Sequence, residues 1–428
     1  MGTDRYGLPA TTATPAALAR YDVGVRELLG WGRGALPAFR DAAAHDPGLA
    51  LAHAGAAVCL FLEERFAPAR ESVEAARVAV ASQTPRERSH VDAIALLVGG
   101  RPAQAERQML EHLAAWPRDV IVLQRLYFVW FWQGRFPEIL DLTTRLLPTY
   151  GDDSFVLGLH AFALEQADRC REAVCAAETA MARNPEDAWA VHALAHALYE
   201  LAAFDEGVGR LPPAIHPCQR LNWFRNHLVW HLALMHLSRG DYRRAIGMSR
   251  AAFERAPSAI AGDLHDSIAL LWRQDLLGFP VGARWRPFAA IARERLDRQG
   301  LLFHAAHLGM ALAGAGDWTT AETQLGMLRQ RVSKDPAGLV GDVLIPLVEG
   351  LQAFARQEYR AVIARIEPLQ PRIIELGGSR AQRDVFHDTL LEACFRAGDA
   401  DRATRLLAER VARRPDDYWL HRRRAPAA

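Results

Sequence analysis

Several things that would make this chain easy to read are scarce or missing. Lys334 is its only lysine; every other basic residue is arginine. Basic and acidic residues number 51 and 50, a formal net charge of +1, so there is no general electrostatic pull toward nucleic acid or an anionic membrane. Neither is expected as a partner. The five cysteines, Cys59, Cys170, Cys175, Cys218 and Cys394, follow no zinc-ribbon or paired-disulfide spacing, which fits a reducing compartment. Cys170 and Cys175 read as buried packing residues. No window reaches the apolar length of a membrane span, and Met1 to Thr12 lacks the basic and apolar blocks of a secretion signal. A cytoplasmic location is therefore expected. Strand-like alternation does not persist anywhere, and hairpin signals are lacking. The arginine-for-lysine and alanine-rich usage is that of a GC-rich bacterial genome.

What the chain does have is internal repetition. Its 428 residues exceed one ordinary globular domain, yet no break in composition divides them. Gly240, Asp241, Tyr242, Ala245 and Pro257 form one copy of a pattern; Gly316, Asp317, Trp318 and Ala321 form another, and Gly398, Asp399, Ala403 and Pro415 a third. Weaker copies start at Gly100 and Gly134. The spacing, roughly 34 residues, resembles the tetratricopeptide pattern. The glycine ends a first helix, the small alanine lets two helices approach, and the proline stops the second. Each pair leaves an apolar face that the next must cover. The expected fold is an all-α solenoid, a superhelix of about ten or eleven helix pairs spanning 1–428 as one domain. Residues 1–12 are expected to be a flexible lead-in and 420–428 a flexible tail containing Arg422 to Arg424. Insertions are expected at Leu211 to Arg220, Gly278 to Pro287 and Gln370 to Gln382.

In tetratricopeptide arrays, positions two, five, six and nine of each first helix face the concave wall. Registering on the turn signals places Trp189, His192 and His196 at two, five and nine of one pair, and His227, Trp230 and His231 at two, five and six of the next. His90, Arg125 and His307 fall at inner positions of other pairs, as do Asp388 and Glu392. His160 falls at position seven and reads as a packing residue. Each His-x-x-x-His pair aims two imidazoles at one place, since residues four apart share a helix face.

The strings Asp187-Ala-Trp189-x-x-His192-x-x-x-His196, Asn226-His227-x-x-Trp230-His231-x-Ala-Leu234, Asp266-Ser267 with Arg273, and Gly377-Gly378-Ser379-x-Ala381-Gln382-Arg383-Asp384-Val-Phe386 resemble the tetratricopeptide repeat protein 38-like family. The resemblance covers most of the chain in order and implies an all-helical superhelix. It implies no general activity. Arg380 stands where that family commonly has histidine, so no role is carried over to position 380.

Three functions suit these residues. In the first, His192, His196, His227, His231 and Asp266 do acid–base chemistry in an enclosed polar pocket. There a small molecule would be held by His90, Arg125, Trp189, Asn226, Trp230, Arg273, His307, Gln382, Arg383 and Asp384, with Arg273 or Arg383 pairing an anion and Asp266 or Asp384 fixing a tautomer. Curling of the array would bring Gln382, Arg383 and Asp384 to the histidine helices. In the second, the four histidines bind a divalent metal such as zinc, with Asp266 as a possible oxygen ligand. The glutamate of an HExxH protease is missing, because Ala193 and Leu228 follow the first histidines. In the third, the array is an adaptor for a protein or peptide. No cofactor is specified by the residues. Gly377-Gly378-Ser379 lacks the strand and Lys-Thr of a phosphate loop and reads as a turn before a helix. No Gly-x-Ser-x-Gly elbow occurs, and Ser267 reads as a packing residue. Arg220 to Arg225, with interleaved aromatics, reads as the approach to a helix rather than a nucleic-acid surface.

Overall fold

The computed structural model describes residues 1–415; Arg422 to Arg424 and the expected tail lie outside the described residues. Within them the chain is an all-α solenoid of eleven helix pairs, from Pro15–Leu29 with Ala35–His45 to Arg380–Ala397 with Ala400–Arg413. In ten of the eleven pairs the first helix packs on its own second helix, Ala261–Leu276 being the exception, and first helices generally pack on the first helix of the next pair. No helix is long and apolar enough to cross a membrane.

Local chemistry starts and stops these helices where the repeat pattern requires. Asp187 caps Ala188–Glu200 by accepting hydrogen bonds from the Trp189 and Ala190 amides at 3.1 and 3.0 Å. Thr84 and Glu87 form a reciprocal capping box on Pro85–Val98, and Ser379 and Gln382 form one on Arg380–Ala397. Gly316 and Gly398 end their helices in the left-handed region.

Three expectations are corrected. Residues 1–12 are not a loose lead-in: Gly2–Thr3 pairs with Pro9–Ala10, and Tyr6 and Ala10 are buried. Asp4 holds this hairpin through the Tyr6 and Leu8 amides and pairs with buried Arg86, which also reaches Asp119. The insertion expected from Leu211 starts later, because Phe204–Ile215 stays helical through Pro212 and Pro213. Cys170 is buried as expected, but Cys175 is exposed.

The array curls until distant pairs touch. The Trp31 to Arg33 turn bonds the 220–222 linker: Asn222 donates to the Trp31 carbonyl at 2.9 Å and Arg33 to the Arg220 carbonyl at 2.8 Å. That backbone pairing is what the Arg220 to Arg225 stretch does. The Ala261–Leu276 helix packs on Arg380–Ala397, where the Arg273 guanidinium donates to the Ala381 carbonyl at 2.8 Å. Trp132 is wedged between the two large apolar cores, one built from the early pairs and one from the late pairs.

Two glycines make the closest approach possible. A Cβ on Gly134 would sit 2.2 Å from the Ile374 carbonyl oxygen, and one on Gly377 would sit 2.6 Å from that of Trp132. Gly134 also has φ +68°. Gly398, with φ +72° and no neighbour near an added Cβ, is the control. Gly398→Ala is expected to cost about 1 kcal/mol, the backbone term alone. Gly134→Ala is expected to cost at least about 1 kcal/mol more, measured by urea denaturation; equal losses would mean that this contact does not brace the closure.

Candidate functional site

The two His-x-x-x-His pairs lie on neighbouring first helices, Ala188–Glu200 and Phe224–Ser238, and their rings converge. One ligand atom from each of His192, His196, His227 and His231 falls within 4.8 Å of all the others, and all four residues are buried. His227 Nε2 lies 2.9 Å from His192 Nε2 and 3.2 Å from His231 Nε2. Its other nitrogen, Nδ1, lies 2.6 Å from Asp266 Oδ2. An ionised carboxylate only accepts, so His227 carries a proton on Nδ1.

Asp266 is wholly buried and serves two rings, with His265 Nε2 3.1 Å from Oδ1. Burial alone would raise its pKa. The His227 and His265 imidazoles and their hydrogen bonds outweigh that and hold the carboxyl far below the ordinary range. Gln382 arrives from the late helix and donates from Nε2 to Asp266 Oδ1 at 3.2 Å, with His265 Nε2 2.8 Å away. His304 continues the chain, its Nδ1 2.9 Å from His265 Nδ1. On the far side, Glu165 Oε2 lies 3.5 Å from His196 Nδ1.

Burial, followed by the neighbouring imidazoles, pushes His192 well below its usual pKa. Burial is likewise the largest cause of the low values at His196, His231 and His304. These rings are neutral and offer lone pairs. Several of their nitrogens, both on His196 and Nδ1 on His192 and His231, have no hydrogen-bond partner among the described residues.

Beside the cluster lies a cavity of about 1150 Å³. His192, His227, His265, His304, Ser379 and Gln382 line one part of it, and much of the rest is aromatic, including Trp31, Phe128, Trp132, Trp189 and Phe224. Trp31 stacks on Phe224 at 4.4 Å, and Trp189 packs at 4.5 Å from His192. The polar pocket expected from the residues is thus an aromatic chamber with a histidine-bearing wall. Large rings at inner helix positions fill a concave lumen more completely than polar groups do.

The other expected site residues divide sharply. Arg125 and Trp189 border the cavity. Trp230 backs the cluster, stacked on His227 at 5.6 Å with Arg273 over its other neighbourhood at 5.6 Å from the ring centre. Asn226 is bound to Asp263 at 3.1 and 3.2 Å. His307 packs on Phe303 and bonds its carbonyl at 2.8 Å. Arg273 is committed to Ala381, and Arg383 to the Gly378 carbonyl and the Phe136 ring. Asp384 does not reach the histidines: it accepts from Arg410, Arg413 and Arg414 of the last helix region, at 2.7, 3.0 and 2.6 Å. Asp388 joins the same network through Arg410, and Glu392 pairs with Arg396. His90 belongs to a separate cluster with His112 and Asp119. His160 is half-buried and lies 3.1 Å from Thr143, and Ser267 donates to the Asp263 carbonyl at 2.7 Å. Sequence reasoning missed His265, His304, Glu165 and Trp31. His265 directly precedes Asp266, and His304 precedes His307 by three residues, so polar density on those helices was the available signal.

No family model matches the chain. Among solved structures it is similar to a chain of Naa15/Naa10 bound to HypK-THB, with 13% identity over 94% of this chain and a TM-score of 0.26. Here it spans 64% of that chain's length. It is also similar to the P58(IPK) TPR domain, with 11% identity, 90% and 89% of the two chains covered, and a TM-score of 0.24. Likenesses this loose carry no argument about the site.

Buried neutral imidazoles couple folding to pH. Burial lowers His307 from 6.5 to about 3. Between those values the unfolded chain binds the proton that the folded chain refuses, so stability is full above 6.5 and falls as pH drops. His307→Gln keeps a neutral polar group there. Between pH 6.5 and 4.5 the variant is expected to lose stability less steeply than the parent, by up to about 1.4 kcal/mol per pH unit. Parallel slopes in urea titrations at several pH values would contradict this.

Proposed function

We propose that this protein is a metal-dependent enzyme: His192, His196, His227 and His231 bind one divalent first-row transition metal ion, and a small organic molecule sits in the adjoining cavity. The observation that carries the proposal is the meeting of three Nε2 atoms at 2.9 and 3.2 Å. His227 Nε2 lies within hydrogen-bonding range of two other Nε2 atoms and can serve only one of them well, whereas a cation takes lone pairs from every ring. The spacing is close to the ligand–ligand edge, about 3.3 Å, of a tetrahedral centre with metal–nitrogen bonds of about 2.0–2.1 Å. Imidazole donors suit zinc, iron, nickel and copper.

The surrounding carboxylates fit the same reading. Metal-bound histidines commonly give their second N–H to a carboxylate, which fixes the tautomer and strengthens the donor. Asp266 holds His227 in that way, and Glu165 stands beside His196. Asp266 therefore orients a ligand instead of being one. His192 and His227 border the cavity, while His196 and His231 are sealed behind them, so the reactive side of the centre is the cavity side. A metal held by these histidines would, with one further coordination position opening on the cavity side, polarise a substrate oxygen or lower the pKa of a water molecule. Trp189 and Phe224 present flat apolar faces beside the two cavity-side histidines, and Gln382 lines the same wall with its amide held by His265, Asp266 and the Ser379 backbone.

Metal-free acid–base catalysis suits the geometry less well, because the His192, His227 and His231 nitrogens point at one another. A peptide adaptor suits the wall less well, because histidines and aromatic rings make up much of the cavity lining. Membership of the tetratricopeptide repeat protein 38-like family is part of the proposal, since the strings carrying that resemblance supply the four histidines, Trp189, Asp266 and Gln382.

Protein purified without chelator is expected to contain close to one metal ion per chain by elemental analysis. Combined His196→Ala and His231→Ala substitution should abolish that content with helical circular dichroism retained. Asp266→Asn should weaken metal affinity about 10- to 100-fold. A chain that takes up cobalt or zinc no more tightly than the double variant would overturn the reading.

A further inference from the structure

Arg125 is the one arginine on the cavity wall with no carboxylate within ion-pairing distance among the described residues. Arg295 is paired with Glu64 and Arg65 with Glu63, and Arg298 lies 4.0 Å from Asp297. Arg125 is 3% exposed, donates to the neutral Gln124 Oε1 at 2.7 Å, and leaves Nε without a partner. Its guanidinium also lies 5.2 Å from the centre of the Phe128 ring. A buried cation without a counter-charge is costly to the folded state. Burial accordingly lowers its pKa from 12.5 to about 10, which still leaves it charged at neutral pH.

We infer that Arg125 is the anion anchor of the cavity, so that the molecule acted on is an organic carboxylate with an aromatic or bulky apolar body. The carboxylate supplies the counter-charge that the protein omits, and a guanidinium matches it in charge and planar hydrogen-bonding geometry. The apolar body lies against Phe128, Trp189 and Trp31, which link Arg125 to His192: Phe128 is 5.1 Å from Trp189, and Trp189 is 4.5 Å from His192. This inference rests on the proposed cavity being the seat of the substrate. It replaces Arg273 and Arg383 as anion partners, because both guanidinia already donate to backbone carbonyls.

The test uses 2-naphthylacetate and its uncharged analogue 2-naphthylacetamide as probes, with binding read by calorimetry on the full chain, as purified and after chelator treatment. The carboxylate is expected to bind about 10- to 100-fold more tightly than the amide. Arg125→Met should erase that ratio by weakening carboxylate binding far more than amide binding, leave metal content unchanged, and raise or preserve thermal stability in the absence of ligand. Arg125→Lys should restore part of the preference. Equal binding of the two probes to the parent, an undiminished ratio in Arg125→Met, or marked loss of stability in that variant would overturn the anchor. A charge preference in protein that takes up no metal, as purified or on addition of zinc or cobalt, would uphold the anchor and defeat the metal reading. Stoichiometric metal without charge preference would do the reverse.

Discussion

Asp266 is a carboxylate with no exposed surface, and it remains ionised because two imidazoles face it, one from each side. Removing an ionised group from water is costly unless hydrogen bonds and opposite charge replace the lost solvent. Here His227 comes from one helix, His265 from Asp266's own helix, and Gln382 from a helix 116 positions further on. Satisfying this single carboxylate therefore requires the Phe224–Ser238, Ala261–Leu276 and Arg380–Ala397 helices to be placed together. The orientation of the His227 ring follows from the same contact, with Nδ1 on Asp266 and Nε2 turned to the other histidines.

That demand is met because the superhelix returns on itself. A solenoid whose pairs touched only their neighbours would leave its concave side as an open trough. In this chain the 31–33 turn meets the 220–222 linker, the 132–134 turn meets the 374–377 segment, and the last helix is tied back by arginines. Arg414, for example, reaches both Glu200 and Asp384. Buried ion pairs of this kind contribute more to register than to net stability, since desolvation offsets much of their attraction. The outcome is a bounded aromatic chamber with a histidine cluster on one wall.

The helices, their pairing and the inward placement of both His-x-x-x-His pairs were legible because they depend on local periodicity and turn chemistry. The neighbourhood of His192 with His227 also followed, as consecutive first helices lie side by side. Reading the pocket as polar went astray because register reports which direction a residue faces, whereas the wall is made by whichever large rings meet there. Asp384 is instructive: it stands two residues after Gln382, so on a helix it points away from the side that Gln382 serves. His90 faces inward by register, yet Asp119 and Arg86 draw it into a separate buried network. Trp31 escaped notice because its ring enters the stack from a turn with φ +58°, outside any helix pattern.

By itself the sequence determined an α-solenoid of about ten or eleven helix pairs, of which the structure has eleven, and placed four histidines on adjacent helix faces. Those properties depend on interactions among residues close along the chain. Tertiary structure alone decided that the four rings share one point, that Gln382 rather than Asp384 reaches Asp266, and that Arg125 faces the cavity without a carboxylate. The Gln382 contact with Asp266 joins residues 116 positions apart, and even the four rings meet across the turns between two helix pairs. Their geometry is the accumulated sum of small rotations between successive helix pairs, a quantity that no local spacing records.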